Sequence, residues 1–196
     1  RERLDAFANA LRHVIQRHDI LRTAVVWEGL SEPLQVVWRE AELSVEFLKP
    51  DHRDGDIAEQ LSERFASSHY RLDLAEAPLI RLACARDGDS WVMLLIFHHL
   101  ALDHTAMDVV REEMQAFMLG EADSLPAAVP YRNYVAQARL GLGQEEHEAF
   151  FRDMLGDVDE RTLAYGQASL PDDGGHIEEA RVQLDTALCR RVRVQA

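Results

Sequence analysis

Two adjacent histidines, His98 and His99, close an apolar run from Trp91 to Phe97, and Asp103 and His104 follow a few residues later. An imidazole can accept or donate a proton near neutral pH, so a pair of them where a strand ends is a candidate for acid–base work or for holding a polar substrate. Neighbouring side chains on extended backbone point to opposite sides, so one ring of the pair faces inward and the other a different compartment, such as a channel. Asp103 lies close enough to turn back and fix the loop through a hydrogen bond or an ion pair. The plain alternative is a polar residue satisfied at a strand end, and the conjunction of two histidines, an aspartate and a core strand weighs against it. A metal site built from His98, His99, Asp103 and His104 is disfavoured, because adjacent histidines converge poorly on one ion, unlike ligands spaced on a common face.

Around these residues the hydrophobic pattern places the elements that position them. Trp91–Phe97 reads as a strand buried on both faces. From Thr105 onward, Ala106, Val109, Val110, Met114, Phe117 and Met118 recur at helical spacing. Asp87-Gly88-Asp89-Ser90 is a hairpin signal joining Leu79–Arg86 to the Trp91 strand. Upstream, Leu4, Phe7, Leu11, Val14 and Ile15 predict an amphipathic helix over residues 2–17. Arg22–Trp27 and Leu34–Trp38 read as strands across a turn at Gly29–Pro33, and Val45 and Phe47 mark a third strand. Ile57, Leu61 and Phe65 mark another helix. After a loop at 120–130, Tyr131–Leu140 and Glu145–Leu155 read as helices around Gly141 and Gly143. Asp157–His176 reads as a linker, Ile177–Leu184 as a strand, and Asp185 as the cap of a final helix. Glu112-Glu113 and the acidic loop at 51–56 read as solvated surface. The fold class is α+β, a mixed or antiparallel sheet with packed helices.

The net charge of −14 disfavours nucleic acid and anionic membrane as partners. No apolar stretch approaches the roughly 18 residues of a membrane span. Cys84 and Cys189 form no ligand or redox spacing, which suits the cytoplasm. No glycine-rich phosphate loop is present. The chain opens at Arg1 inside one helical pattern and stops inside another, so it reads as a piece of a longer polypeptide.

Several stretches together carry a family resemblance. His98-His99-Leu100-Ala101-Leu102-Asp103 resembles the HHxxxDG signature of condensation domains of non-ribosomal peptide synthetases, within the chloramphenicol acetyltransferase-like superfamily. Arg17-His18-Asp19-Ile20-Leu21-Arg22-Thr23 is similar to that family's RHExLRT. Tyr131-Arg132-Asn133-Tyr134 is similar to its YxDYA segment, and Glu145–Leu155 to its helix before the inter-lobe linker. Order and spacing agree over nearly the whole chain.

The resemblance implies a two-lobed acyltransferase with its site in a tunnel between the lobes. Residues 1–170 would form the N-terminal lobe without its first strand, and 171–196 the linker and the start of the C-terminal lobe. The reaction would join a donor acyl or peptidyl thioester to the amine of an acceptor aminoacyl thioester. No cofactor would be bound by the domain itself, since both substrates ride on phosphopantetheine of donor and acceptor carrier proteins. An adenylation domain would adjoin it in the same polypeptide. By resemblance His99 is the catalytic residue, either as general base on the amine or by orienting the amine and stabilising transition-state charge. His98 shapes the loop, and Asp103 pairs structurally with Arg22, or failing that with Arg17. His104 replaces the motif's glycine, which would permit a left-handed turn, and its side chain would line and narrow the tunnel mouth. That departure keeps open a non-catalytic platform for carriers or tailoring enzymes, and a further reading is another HHxxxD acyltransferase. The isolated chain is expected to be inactive.

Overall fold

The computed structural model describes residues 1–141, 143–159 and 182–195. The chain divides into two compact units, Arg1–Asp159 and Glu160–Ala196. In the first, helix α1 (Glu2–Arg17) buries Leu4, Ala8, Leu11, Val14 and Ile15, the stripe its apolar spacing requires. Glu2 and Asp5 in its first turn and Arg17 in its last complement the helix dipole. His18 is extended and stops the helix, and a 3-10 turn (Asp19–Arg22) leads into β1 (Thr23–Val26). β1 and β2 (Leu34–Val37) form an antiparallel two-stranded sheet with Thr23 opposite Val37.

A second sheet has the order β3-β4-β5, with β3 at Ser44–Leu48, β4 at Ile80–Asp87 and β5 at Ser90–Phe97. β3 runs parallel to β4 and β5 antiparallel to it, so the sheet is mixed. The parallel pair needs a crossover, and α2 (Ile57–Arg64) lies within it. Asp56 caps α2 by accepting from the amides of Ala58 and Glu59 at 2.8 and 3.0 Å. α2 packs Ile57 and Leu61 on Ala85, Val92 and Leu94. Ile80, Leu82 and Cys84 turn to the opposite face, among the residues of α1. Burial pushes the Cys84 thiol pKa up, opposed weakly by Arg1, which makes it a core residue and a poor nucleophile. β4 and β5 meet at a two-residue turn, Asp87 pairing with Ser90 across Gly88, whose φ is +56°.

The expectation of a β5 buried on both faces needs correction. Trp91, Leu95 and Phe97 pack towards the α1 side and Val92 and Leu94 towards α2, yet the strand stays only half-buried and Met93 is exposed. The reason is position: β5 is an edge of the sheet, and the central strand, β4, is the one whose Ile80 and Leu82–Ala85 are buried.

Helix α3 (His104–Leu119) follows β5 after a short turn and packs along α1. It ends at Gly120, whose φ of +75° lets its amide and that of Glu121 satisfy the last carbonyls, Glu121 N donating to Ala116 O at 2.8 Å. A Cβ at this position meets no neighbouring atom. Gly120→Ala is therefore expected to destabilise by about 1–2 kcal/mol through backbone conformation alone, read as a lower midpoint in urea at unchanged slope. α4 (Tyr131–Leu140) and α5 (Gln144–Leu155) complete the helices of this unit.

In the second unit α6 (Thr186–Gln195) is capped by Asp185, whose Oδ1 accepts from Leu188 N at 2.8 Å, as the sequence predicted. Of the anticipated Ile177–Leu184 strand, 182–184 are irregular and the rest lies outside the described residues. So do the 170/171 boundary and nearly all of the Asp157–His176 linker.

Candidate active site

The histidine pair sits where β5 ends. The His98 amide still pairs with Leu79 O at 3.0 Å, one step beyond the Ile80–Phe97 rung. The chain then tightens into a turn in which Ala101 N and Leu102 N both reach His98 O, at 3.0 and 3.3 Å. Ala101 and Leu102 are buried, Leu102 among Leu11, Val14, Ile15 and Met114, which anchors the turn to the core.

The two rings do occupy different surroundings. His98 is half-buried, and its Nδ1 accepts from Leu100 N at 3.1 Å, which puts its ring proton on Nε2. His99 is exposed, and its Nδ1 lies 3.0 Å from Leu102 O. A carbonyl can only accept, so His99 carries a proton on Nδ1, and in the neutral ring the lone pair is on Nε2. Among the described residues Nε2 has no hydrogen-bond partner. Phe97 sets its ring edge-on to His99 at 5.5 Å, which limits rotation on the other side. A backbone carbonyl and an aromatic wall thus fix the tautomer and tilt of an imidazole open to solvent.

Asp103 fixes the loop by a hydrogen bond, not by an ion pair. It is exposed at the N-cap of α3, and its Oδ1 accepts from Ala106 N at 2.7 Å. The expected Arg22–Asp103 pair does not form. Arg22 donates instead to three carbonyls, from Nε to Gln16 O at 3.2 Å and from Nη1 to Trp38 O and Arg39 O. The fallback, Arg17, is also engaged elsewhere. Complementary charge in two motifs does not guarantee contact, and a helix N-terminus already offers a carboxylate what an arginine would. Asp103→Ala is accordingly expected to cost about 1 kcal/mol, typical of losing a cap, and not the several kcal/mol of a broken buried pair; a thermal melt decides between them.

His104, in place of the motif's glycine, is the first residue of α3 and exposed. Helical backbone needs no left-handed conformation there, so the histidine is accommodated without strain.

The RHDILRT stretch holds the scaffold. Arg17 Nε and His18 Nε2 lie 3.1 and 2.8 Å from Glu113 Oε2 on α3, and Arg17 Nη2 also donates to Pro126 O. Asp19 accepts from Tyr131 N through both oxygens, at 2.9 and 3.0 Å, and so seats the start of α4. Thr23 Oγ1 donates to Asp19 O at 2.7 Å. Glu113 was expected on a solvated face with Glu112. Glu112 is exposed, but Glu113 is only 7% exposed. The signal was present: Glu113 falls three residues after Val110 and four before Phe117, on the apolar side of α3.

The α+β fold, the histidine turn and the scaffold motif now stand together, and they define a member of the condensation-domain family. The Condensation domain family model matches residues 3–194, and the chain belongs to that family. It is 42% identical over its whole length to malpinin synthetase and 44% identical over 98% of its length to malpibaldin synthetase, both of Mortierella alpina. The chain spans 2% and 4% of those two proteins. The EpoB cyclization-docking bidomain of a non-ribosomal peptide synthetase from Sorangium cellulosum shares the fold, with a TM-score of 0.61 and 22% identity over 78% of this chain and 31% of that one.

Proposed function

We propose that the chain supplies the histidine-bearing lobe of an amide-forming condensation domain in a cytoplasmic peptide synthetase. Its substrates would be a donor acyl or peptidyl thioester and an acceptor aminoacyl thioester, each on the phosphopantetheine arm of a carrier protein. Residues 1–170 would make up this lobe and 171–196 the passage into the next, with an adenylation domain in the same polypeptide. In the reaction the acceptor amine attacks the donor carbonyl carbon, a C–N bond forms, and the C–S bond breaks to release the donor arm as a thiol. The amine proton passes to His99 Nε2 and on to the departing sulfur.

One observation carries this reading above the others: the Nδ1 proton of His99 is committed to Leu102 O on an exposed ring, so that Nε2 of the neutral ring is an oriented acceptor. That is the state a general base or an amine-orienting group requires. A non-catalytic platform has no need of a fixed tautomer, and His104 stands in ordinary helix without displacing the turn. The defining experiment mixes the intact protein with donor- and acceptor-loaded carriers and looks for the amide product by mass spectrometry. Absence of product from a folded protein with correctly loaded carriers would rule out the amide-forming reading.

A further inference from the structure

We propose that Glu113 is a positioning residue for His99, clamped by Arg17 and His18, and that it acts by fixing α3 along its own axis. This rests on the role given to His99 above. Thr23 and Glu113 are the two buried polar side chains among the described residues, and the Thr23 hydroxyl is accounted for by Asp19 O. Glu113 instead interrupts an apolar seam, with Val110 and Met114 buried beside it. Replacing a buried ion pair by apolar side chains of similar volume is often neutral or stabilising, so stability is a weak reason for a carboxylate here. Register is a stronger one. Two helices meeting through apolar ridges can pack in neighbouring registers of similar energy. A carboxylate oxygen that must accept from Arg17 Nε at 3.1 Å and His18 Nε2 at 2.8 Å has one solution. Arg17 is tied in turn to Pro126 O, in the loop that follows α3, so the same side chain holds the helix and the segment leaving it.

The other end of the same helix carries the site. α3 begins at His104, and Asp103 caps it. Immediately before that cap stands Leu102, whose carbonyl holds the His99 ring. From His104 to Glu113 is less than three turns of rigid helix, about 14 Å. A slip of α3 against α1 therefore carries Leu102 O with it and turns the imidazole, while the surface that meets the carrier proteins need not change.

The test uses the intact synthetase with loaded carriers and compares Glu113→Gln, the Arg17→Met/Glu113→Leu double variant and His99→Ala. The double variant is expected to melt near the wild-type temperature, to keep its KM for loaded carriers, and to lose about a hundredfold in kcat, as misplacement of a reacting group does. Glu113→Gln, whose amide oxygen still accepts a hydrogen bond, should recover part of that kcat. Wild-type kcat in the folded double variant beside an inactive His99→Ala would overturn the positioning role alone. Wild-type kcat in His99→Ala would overturn the role of His99 and this proposal with it. If kcat and melting temperature fall together in both Glu113 variants, the node serves folding only, and the proposal is likewise overturned.

Discussion

His99→Ala in the intact protein is expected to lower amide formation by about two to four orders of magnitude while the fold and carrier binding survive. The ring is exposed, and its contacts are one backbone carbonyl and the edge of Phe97, so its loss opens no core cavity. A catalytic defect can thus be read apart from an unfolding defect. His98→Ala provides the contrast. That ring accepts a single amide proton inside the turn, so its removal should loosen the loop and reduce the rate far less. Single-turnover measurement of product with both variants checks the pair. A folded His99→Ala protein that makes product at the wild-type rate would transfer the proton-handling role away from this residue and revive the platform reading.

The second large effect is expected from the 196-residue chain on its own, which should yield no detectable amide product. By resemblance the site is completed by a second lobe, and two thioester-bound substrates must be held in line, a constraint that supplies much of the rate. The exposed apolar residues of this unit point the same way. Trp27, Leu34 and Val37 on the first hairpin and Phe150, Phe151, Met154 and Leu155 on α5 all stand open to solvent. Apolar surface of that extent favours self-association, which light scattering during purification would register. Turnover comparable with the intact protein would show that one lobe suffices.

Much of this architecture is legible in the sequence, because period and turn chemistry are local. The stripe of Leu4, Leu11, Val14 and Ile15 fixes α1, Gly88 marks the hairpin turn, and Asp185 caps α6. What local pattern does not carry is which neighbour covers a given face. The apolar run of β5 does not reveal that it is an edge strand, and nothing in Val45 or Phe47 indicates that β3 pairs parallel to β4. The same limit governs the charges. Motif resemblance brings Arg22 and Asp103 to notice together, but their partners are chosen by distant backbone: three carbonyls for one, a helix end for the other. His99 was identified from its motif, whereas its tautomer depends on Leu102 O and becomes visible only in the turn. Glu113 is legible from helical phase, but two adjacent glutamates by themselves read as surface.

The mixed sheet also implies an order of assembly. Rungs of the β4–β5 hairpin join residues as near in sequence as Asp87 and Ser90, whereas the β3–β4 pairing must bring Ser44 against Arg81. Closing the longer loop costs more chain entropy before any contact repays it, so the hairpin zips first and β3 adds later. The rung nearest the histidines, Ile80 with Phe97, is the farthest from the hairpin turn and the last to close. The strand scaffold is therefore expected to form before the histidine turn, which takes shape as the hairpin finishes and Leu102 finds its place between the two long helices.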